Sequence, residues 1–539
     1  MECNLADLYE CVAGSVPART AVVEGGHRRT YAELLARTTG LAHGLAARGV
    51  GRGEHVGLCL RNTVEHLEAM LACYQLGAVP INVNWRYSAE ELAYLFADAE
   101  TILVVHGAEF TDAVRAAAER TPSVRDTLVG EGPGFEALVA TAGAADPFTP
   151  RSGDDHYILY TGGTTGRPKG VVWRQEDIFY AALGGGNPGG PPITRPEEIA
   201  ANVLAHPAQR ITPFLGPDDV APDRFVSFPM GPLMHASGSW GALGTLLGGG
   251  TLVLDAEPHL APARVLDLVE RERVGLLTLV GDSGGRPLVE AVEAEPDRWD
   301  HSSLRVLGSG GSMLSADVKA RLLAVLPSVL AILEGMGSSE SPAQAVAVST
   351  RAGGVAPSLT FASKAETIVV DDDLRPVPPG RGIVGRLATR GRVPLGYHRD
   401  DERSARTFVT IDGARYSLPG DRAVVDADGT VHLVGRGATC INTGGEKVYP
   451  EEVEAVLLAH PRVRDAIVVG IPDPHYGAAV AAVIACDGPP LELEELRSHF
   501  RDALAGYKLP RAVTIVDVVQ RSPAGKPDHA WAARVAADT

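Results

Sequence analysis

Cysteine is scarce in this chain. Six occur, at Cys3, Cys11, Cys59, Cys73, Cys440 and Cys486, with no C-x-x-C pair and no histidines grouped beside them. That scatter speaks against a zinc site and against a disulfide framework, and it points to reduced thiols and a cytoplasmic setting. Long apolar runs are also missing. None approaches the ~20 residues that cross a bilayer, so no stable membrane insertion is expected. The stretch Met1–Gly26 has no basic region followed by an apolar one, so no secretory signal is expected. Positive charge is in deficit, with 49 Lys and Arg against 67 Asp and Glu and a net charge of −18. A nucleic-acid binder that works by neutralising phosphates is thereby excluded, and an anionic membrane surface finds nothing to attract it.

What is present fits a globular protein: 45% hydrophobic and 22% charged residues. The 539 residues are too many for one compact core, so two or more domains are expected. Helical spacing over Tyr31–Arg48, Val64–Leu76 and "AEELAYLFADA" alternates with strand-like runs "HVGLCL", "AVPINV" and "TILVVHG". Such alternation predicts an α/β fold with parallel sheets covered on both faces. Gly- and Pro-rich loops are read at Gly184–Pro192, Pro213–Pro222 and Pro376–Gly382. From about residue 367 to 435 short β runs separated by Asp-Gly and Pro-Gly turns predict a β-rich subdomain. The last hundred or so residues return to mixed patterns and predict a small α+β domain.

The strongest chemical signal is Tyr157–Val172, "YILYTGGTTGRPKGVV". An apolar strand runs into Thr161, Gly162, Gly163, Thr164, Thr165 and Gly166, and Lys169 follows. Glycines let backbone amides turn toward an anion, hydroxyls add donors, and the lysine balances phosphate charge. The Walker pattern G-x-x-x-x-G-K-[ST] is absent. This loop resembles the phosphate loop of the adenylate-forming superfamily of acyl-CoA synthetases, luciferases and adenylation domains.

The other segments of that superfamily stand in order. "FPMGPLMHASG" resembles the segment whose histidine lies beside the acyl pocket, here His235. "GSGGSML" resembles the turn against the adenine, which implies Gly310, Gly311 and Ser312. "GMGSSE" resembles the aromatic-Gly-x-Thr-Glu motif, which implies nucleotide contacts at Met336, Gly337, Ser338 and Ser339 and a Mg²⁺ ligand at Glu340. Met336 replaces the usual aromatic and is expected to pack on adenine through its polarisable sulfur. Ser339 replaces the usual threonine. "YSLPGD" implies Asp421 on the ribose hydroxyls. "GRGATCINTGGEKVYPEEVE" implies Arg436 at the nucleotide, a hinge over 436–441, and a loop with Gly445 and Glu446 that approaches the thiol. Ala438 stands where relatives carry a polar hinge residue, so Gly437 is the expected pivot. "RSPAGKPDH" implies the adenylation lysine, Lys526.

The resemblance implies a large adenylation domain over 1–435 and a small mobile domain over 442–539. It implies ATP, Mg²⁺ and coenzyme A, with Thr161 and Glu340 holding the metal and Lys526, Glu340, His235 and Lys169 in catalysis. The substrate would be a small-molecule carboxylic acid, of the fatty, cyclic or steroid side-chain type. An amide ligase or a carrier-protein acyl loader would use the same adenylation residues. Many relatives dimerise, and a homodimer is compatible with this sequence. "GDSGG" at Gly281–Gly285 copies the string around a serine-protease nucleophile, but the α/β pattern argues against it. Ser283 is read as loop or pocket wall. No G-x-G-x-x-G turn follows the first strand, which argues against a nicotinamide oxidoreductase.

Overall fold

In the computed structural model six parallel strands run side by side: Ala331–Ser338, Val306–Gly310, Leu276–Leu279, Val226–Pro229, Thr251–Leu254 and Thr20–Glu24. The structure describes residues 3–141, 148, 150–162, 167–185, 191–205, 225–257, 259–311, 314, 316–357, 360–364, 366–436, 441–448, 450–458, 460, 462–500, 503–520 and 528–537. The expected loop at Pro213–Pro222 lies outside these.

The parallel block continues without a break into antiparallel strands beginning at Ser341–Thr350, giving one sheet of 15 strands. The β-rich stretch from Thr367 onward extends this sheet. A second, four-stranded sheet is wholly parallel and contains His55–Cys59, Val79–Asn82, Thr101–His106 and Asp126–Val129. Strands His156–Gly162 and Pro168–Arg174 form a hairpin, with Gly396–Tyr397 added at its edge. The last sheet has five strands, all between Ile441 and Ile515.

Local chemistry sets the helix ends. Thr30 and Glu33 form a capping box for Tyr31–Ala47, and Ser88 and Glu91 do so for Ala89–Asp98. Helix Val64–Leu76 starts on Thr63, whose side chain accepts from the His66 amide, and stops at Gly77 with φ 69°. The "GDSGG" string forms the first turn of helix Gly281–Ala294, so of the two readings given for Ser283 the loop is the one that does not hold.

Among the described residues no helix is long and apolar enough to cross a membrane.

Candidate active site

The carboxyl ends of the parallel strands open into one cavity of about 920 Å³. In doubly wound sheets, ligands bind at this edge because loops diverge there. Met230 and Met234 follow the strand Val226–Pro229, Asp255 follows Thr251–Leu254, and Val280 follows Leu276–Leu279. Gly310 ends the next strand and Gly311 follows it, and Ser338 and Ser339 do the same for the one after. Helix Ala236–Leu247 contributes Ala236, Ser237, Trp240, Gly241 and Gly244, a single face at helical spacing. Trp240 donates from Nε1 to the Tyr157 hydroxyl at 2.9 Å, which anchors that face. The stretch Thr278–Leu288 supplies Thr278, Val280, Gly284 and Pro287.

The hairpin carries the charge. Thr161 pairs in register with Lys169 and lines the cavity. The Lys169 ammonium lies 3.6 Å from Glu340 Oε1 and 4.0 Å from the Tyr397 ring centre. The Tyr397 hydroxyl donates to the same Glu340 oxygen at 2.7 Å. Burial pulls the Lys169 ammonium down to about 8, with Glu340 pulling the other way. Burial pushes the Tyr397 hydroxyl up, and Glu340 adds to the effect. The neighbouring turn is held by Trp173, whose Nε1 donates to the Ser339 carbonyl at 3.0 Å. Gly163, Thr164, Thr165 and Gly166 lie outside the described residues, as do Ser312 and Lys526.

Residues of the strand Ala331–Ser338 alternate between two faces. Gly335 and Gly337 face the cavity, and Met336 does not line it. Met336 belongs to a buried cluster with Ala345, Ala347 and Phe361 on the other side. Strand alternation is the reason: neighbours in a pleat point to opposite faces. Asp421 is buried on the strand Asp421–Val425, where it pairs in register with Arg436.

The turn Gly444–Val448 of the last sheet reaches the opposite wall. Gly444, Gly445, Glu446 and Lys447 all line the cavity. Gly445 has φ 85°, and a Cβ there would come within 2.6 Å of Val280, so only glycine lets the turn approach this closely. Glu446 is ion-paired to Arg86, and its Oε1 lies 3.2 Å from His235 Nε2. Burial pushes the Glu446 carboxyl up, but His235 and Arg86 outweigh that and hold it below the usual carboxylate range.

The family profile described as AMP-binding enzyme matches residues 10–398 of the chain, and that of the AMP-binding enzyme C-terminal domain matches residues 452–526. The chain belongs to the AMP-binding enzymes. This AMP-binding enzyme is 38% identical over 548 residues to the 3-oxocholest-4-en-26-oate--CoA ligase of Rhodococcus rhodochrous, covering 99% of this chain and 96% of that protein. It is 40% identical over 552 residues to the Medium/long-chain-fatty-acid--CoA/3-oxocholest-4-en-26-oate--CoA ligase of Mycolicibacterium smegmatis, again covering 99% and 96%. Among solved structures it resembles the amide bond synthetase McbA of Marinactinospora thermotolerans, with TM-score 0.79, 27% identity, and coverage of 98% and 99%.

Sequence reasoning missed three groups of this AMP-binding enzyme's site. Tyr397 sits in "GRVPLGY", where the flanking glycines and proline are a turn signal that could have drawn attention to it. Arg86 had none, because an arginine between two aromatics reads as a surface residue. Trp240 reads as ordinary helix packing.

Proposed function

We propose that the protein is an ATP-dependent acid–thiol ligase of the AMP-forming acyl-CoA synthetase type. It activates a carboxylic acid as its acyl-AMP with release of pyrophosphate, then transfers the acyl group to coenzyme A. The observation that carries this reading is Glu446 at the cavity wall beside His235, because the turn that bears it gives a thiol a route to the same space that holds the acid. The names of the full-length relatives, ligases of steroid side-chain and fatty acids, point the same way. The acid is accordingly a fatty, cyclic or steroid side-chain acid.

The residues fit a nucleotide with its metal. A Cβ on Gly335 or Gly311 would meet nothing within 4 Å, so both glycines leave room beside the strand ends for a flat base. Among the described residues no group of three or more acidic, histidine or cysteine ligands forms a metal cage. That suits Mg²⁺, which takes one or two protein oxygens and completes its shell with substrate phosphates and water. Glu340 and Thr161 would hold it, and the ion would neutralise phosphate charge. Asp421 would bond the ribose hydroxyls, and Arg436 would reach the nucleotide.

In the first half-reaction a carboxylate oxygen attacks the α-phosphorus, and the bond to pyrophosphate breaks. Two anions must meet, so the chain supplies positive charge: Lys169 beside the leaving group and Lys526 between carboxylate and α-phosphate. In the second, a thiolate sulfur attacks the acyl carbonyl and the bond to AMP breaks. Lys526 and the Glu446 turn cannot both occupy one carbonyl. We therefore assign 1–435 to the large domain, 436–441 to a hinge pivoting at Gly437, and 442–539 to a small domain that rotates between the two steps. The reaction suits the cytoplasm, where ATP and coenzyme A meet.

A second acceptor has one observation in its favour, the likeness to an amide bond synthetase. Incubation with ATP, steroid or fatty acids, and either coenzyme A or amines, with products identified by mass spectrometry, separates the two. Thioester is expected; amide without thioester overturns the proposed acceptor.

A further inference from the structure

Beside the cavity, a contact joins the C-terminal segment to the helix Ala89–Asp98. Lys508 lies in the 3₁₀ turn Gly506–Lys508 of the C-terminal segment and is only 3% exposed. Its Nζ donates to Glu91 Oε1 at 2.6 Å, across 417 positions of sequence. It lies 4.8 Å from the Tyr87 ring centre and 5.8 Å from that of Tyr507. Tyr507 in turn accepts at its hydroxyl from Asn84 Nδ2 at 3.1 Å. Arg86, the partner of Glu446, lies 4.7 Å from the Trp85 ring centre and 6.0 Å from that of Tyr507.

The receiving side is set in advance. Glu91 closes the capping box of helix Ala89–Asp98, and its Oε2 accepts from the Ser88 amide at 2.8 Å. That holds the carboxylate in place and leaves Oε1 for the lysine. A buried ammonium needs such a partner, since an isolated buried charge is strongly unfavourable. Two tyrosine rings add cation–π attraction.

We propose that Lys508, seated on Glu91 between Tyr87 and Tyr507, is a positioning residue for the thioester-forming step. It fixes the small domain in the orientation that brings Glu446 to His235. The reason is differential. When the small domain turns away to admit Lys526, the Lys508–Glu91 contact must break and both groups return to water. A contact made in one orientation only biases the balance between orientations by its full worth. The inference rests on the two-step reading given above. It adds what selects the second orientation.

Three variants test it: Lys508→Met, Lys508→Arg and Glu91→Gln, the last of which retains the cap. Pyrophosphate release and thioester formation from pre-made acyl-AMP are measured separately. Lys508→Met and Glu91→Gln are expected to keep pyrophosphate release within about two-fold and to slow the thioester step ten-fold or more. Lys508→Arg, which keeps the charge and the cation–π contact, is expected to recover part of the loss. Equal loss in both steps, or an unchanged thioester step, overturns the proposal. Small-angle scattering without acceptor keeps the two readings apart, and Lys508→Met is expected to broaden the distribution of shapes. If the wild type forms acyl-AMP but no thioester, the proposed acceptor fails, while unchanged scattering in Lys508→Met would sink the positioning role by itself.

Discussion

Glu446 Oε1 lies 3.2 Å from His235 Nε2, although 211 positions of chain separate the two residues. The contact joins the last sheet to the helix whose face lines the cavity, and Arg86 completes it from a third segment. An anion buried between the Arg86 guanidinium and the His235 ring loses much when its charge is removed, because its partners are left unsatisfied.

Glu446→Gln is therefore expected to slow thioester formation by roughly 10- to 100-fold while acyl-AMP formation persists. Stopped assays of each half-reaction give the comparison. The Glu446 carboxyl is held below its usual range, so it stays charged as pH falls through the ordinary glutamate pKa of about 4.3. No loss of the thioester step attributable to this group should appear between pH 7 and pH 5, and a limb in that window that vanishes in Glu446→Gln would contradict the assigned environment.

Lys526→Ala is expected to cut acyl-AMP formation by roughly two decades, the scale of one transition-state charge contact. Thioester formation from pre-made acyl-AMP should survive far better. A similar drop in both half-reactions would remove Lys526 from the adenylation role.

Gly244 lines the cavity, and a Cβ there would meet nothing within 4 Å. Gly244→Leu fills that space. The expected result is a fall of roughly ten-fold or more in kcat/KM for polycyclic acids, with medium-chain fatty acids little affected. Equal kcat/KM ratios in wild type and variant across the acid series would show that the substrate does not use this wall.

His66 concerns stability. It is buried in the helix Val64–Leu76, and its Nδ1 lies 3.1 Å from the Arg61 carbonyl. Burial lowers its pKa to about 4. The folded state thus refuses a proton that the unfolded chain accepts below about pH 6.5. The group costs nothing above that pH, and stability falls as pH drops toward about 4. Between pH 7 and pH 5 its share is about 2 kcal/mol. His66→Gln is expected to remove that share, seen as a shallower pH dependence in urea unfolding. Parallel curves for the two proteins would refute it.

Much of this protein was readable one segment at a time. Helix Val64–Leu76 has the bounds its periodicity predicts, because a threonine cap and a glycine stop are local signals. The parallel sheets follow from strands alternating with helices. A motif gives the order of residues and not the face they take, as Met336 shows. Gly335 and Gly337 face the cavity, so the pleat turns Met336 toward Ala345.

The long-range meetings belong to the tertiary structure alone. Nothing near Lys508 in the chain announces Glu91, and nothing near Glu446 announces Arg86 or His235. Capping, periodicity and turn chemistry act over a few residues, and the sequence by itself determines them. Which buried charge finds which partner depends on how the faces of distant elements pack. That choice is made only when the whole chain has folded and water has been excluded from the seam between them.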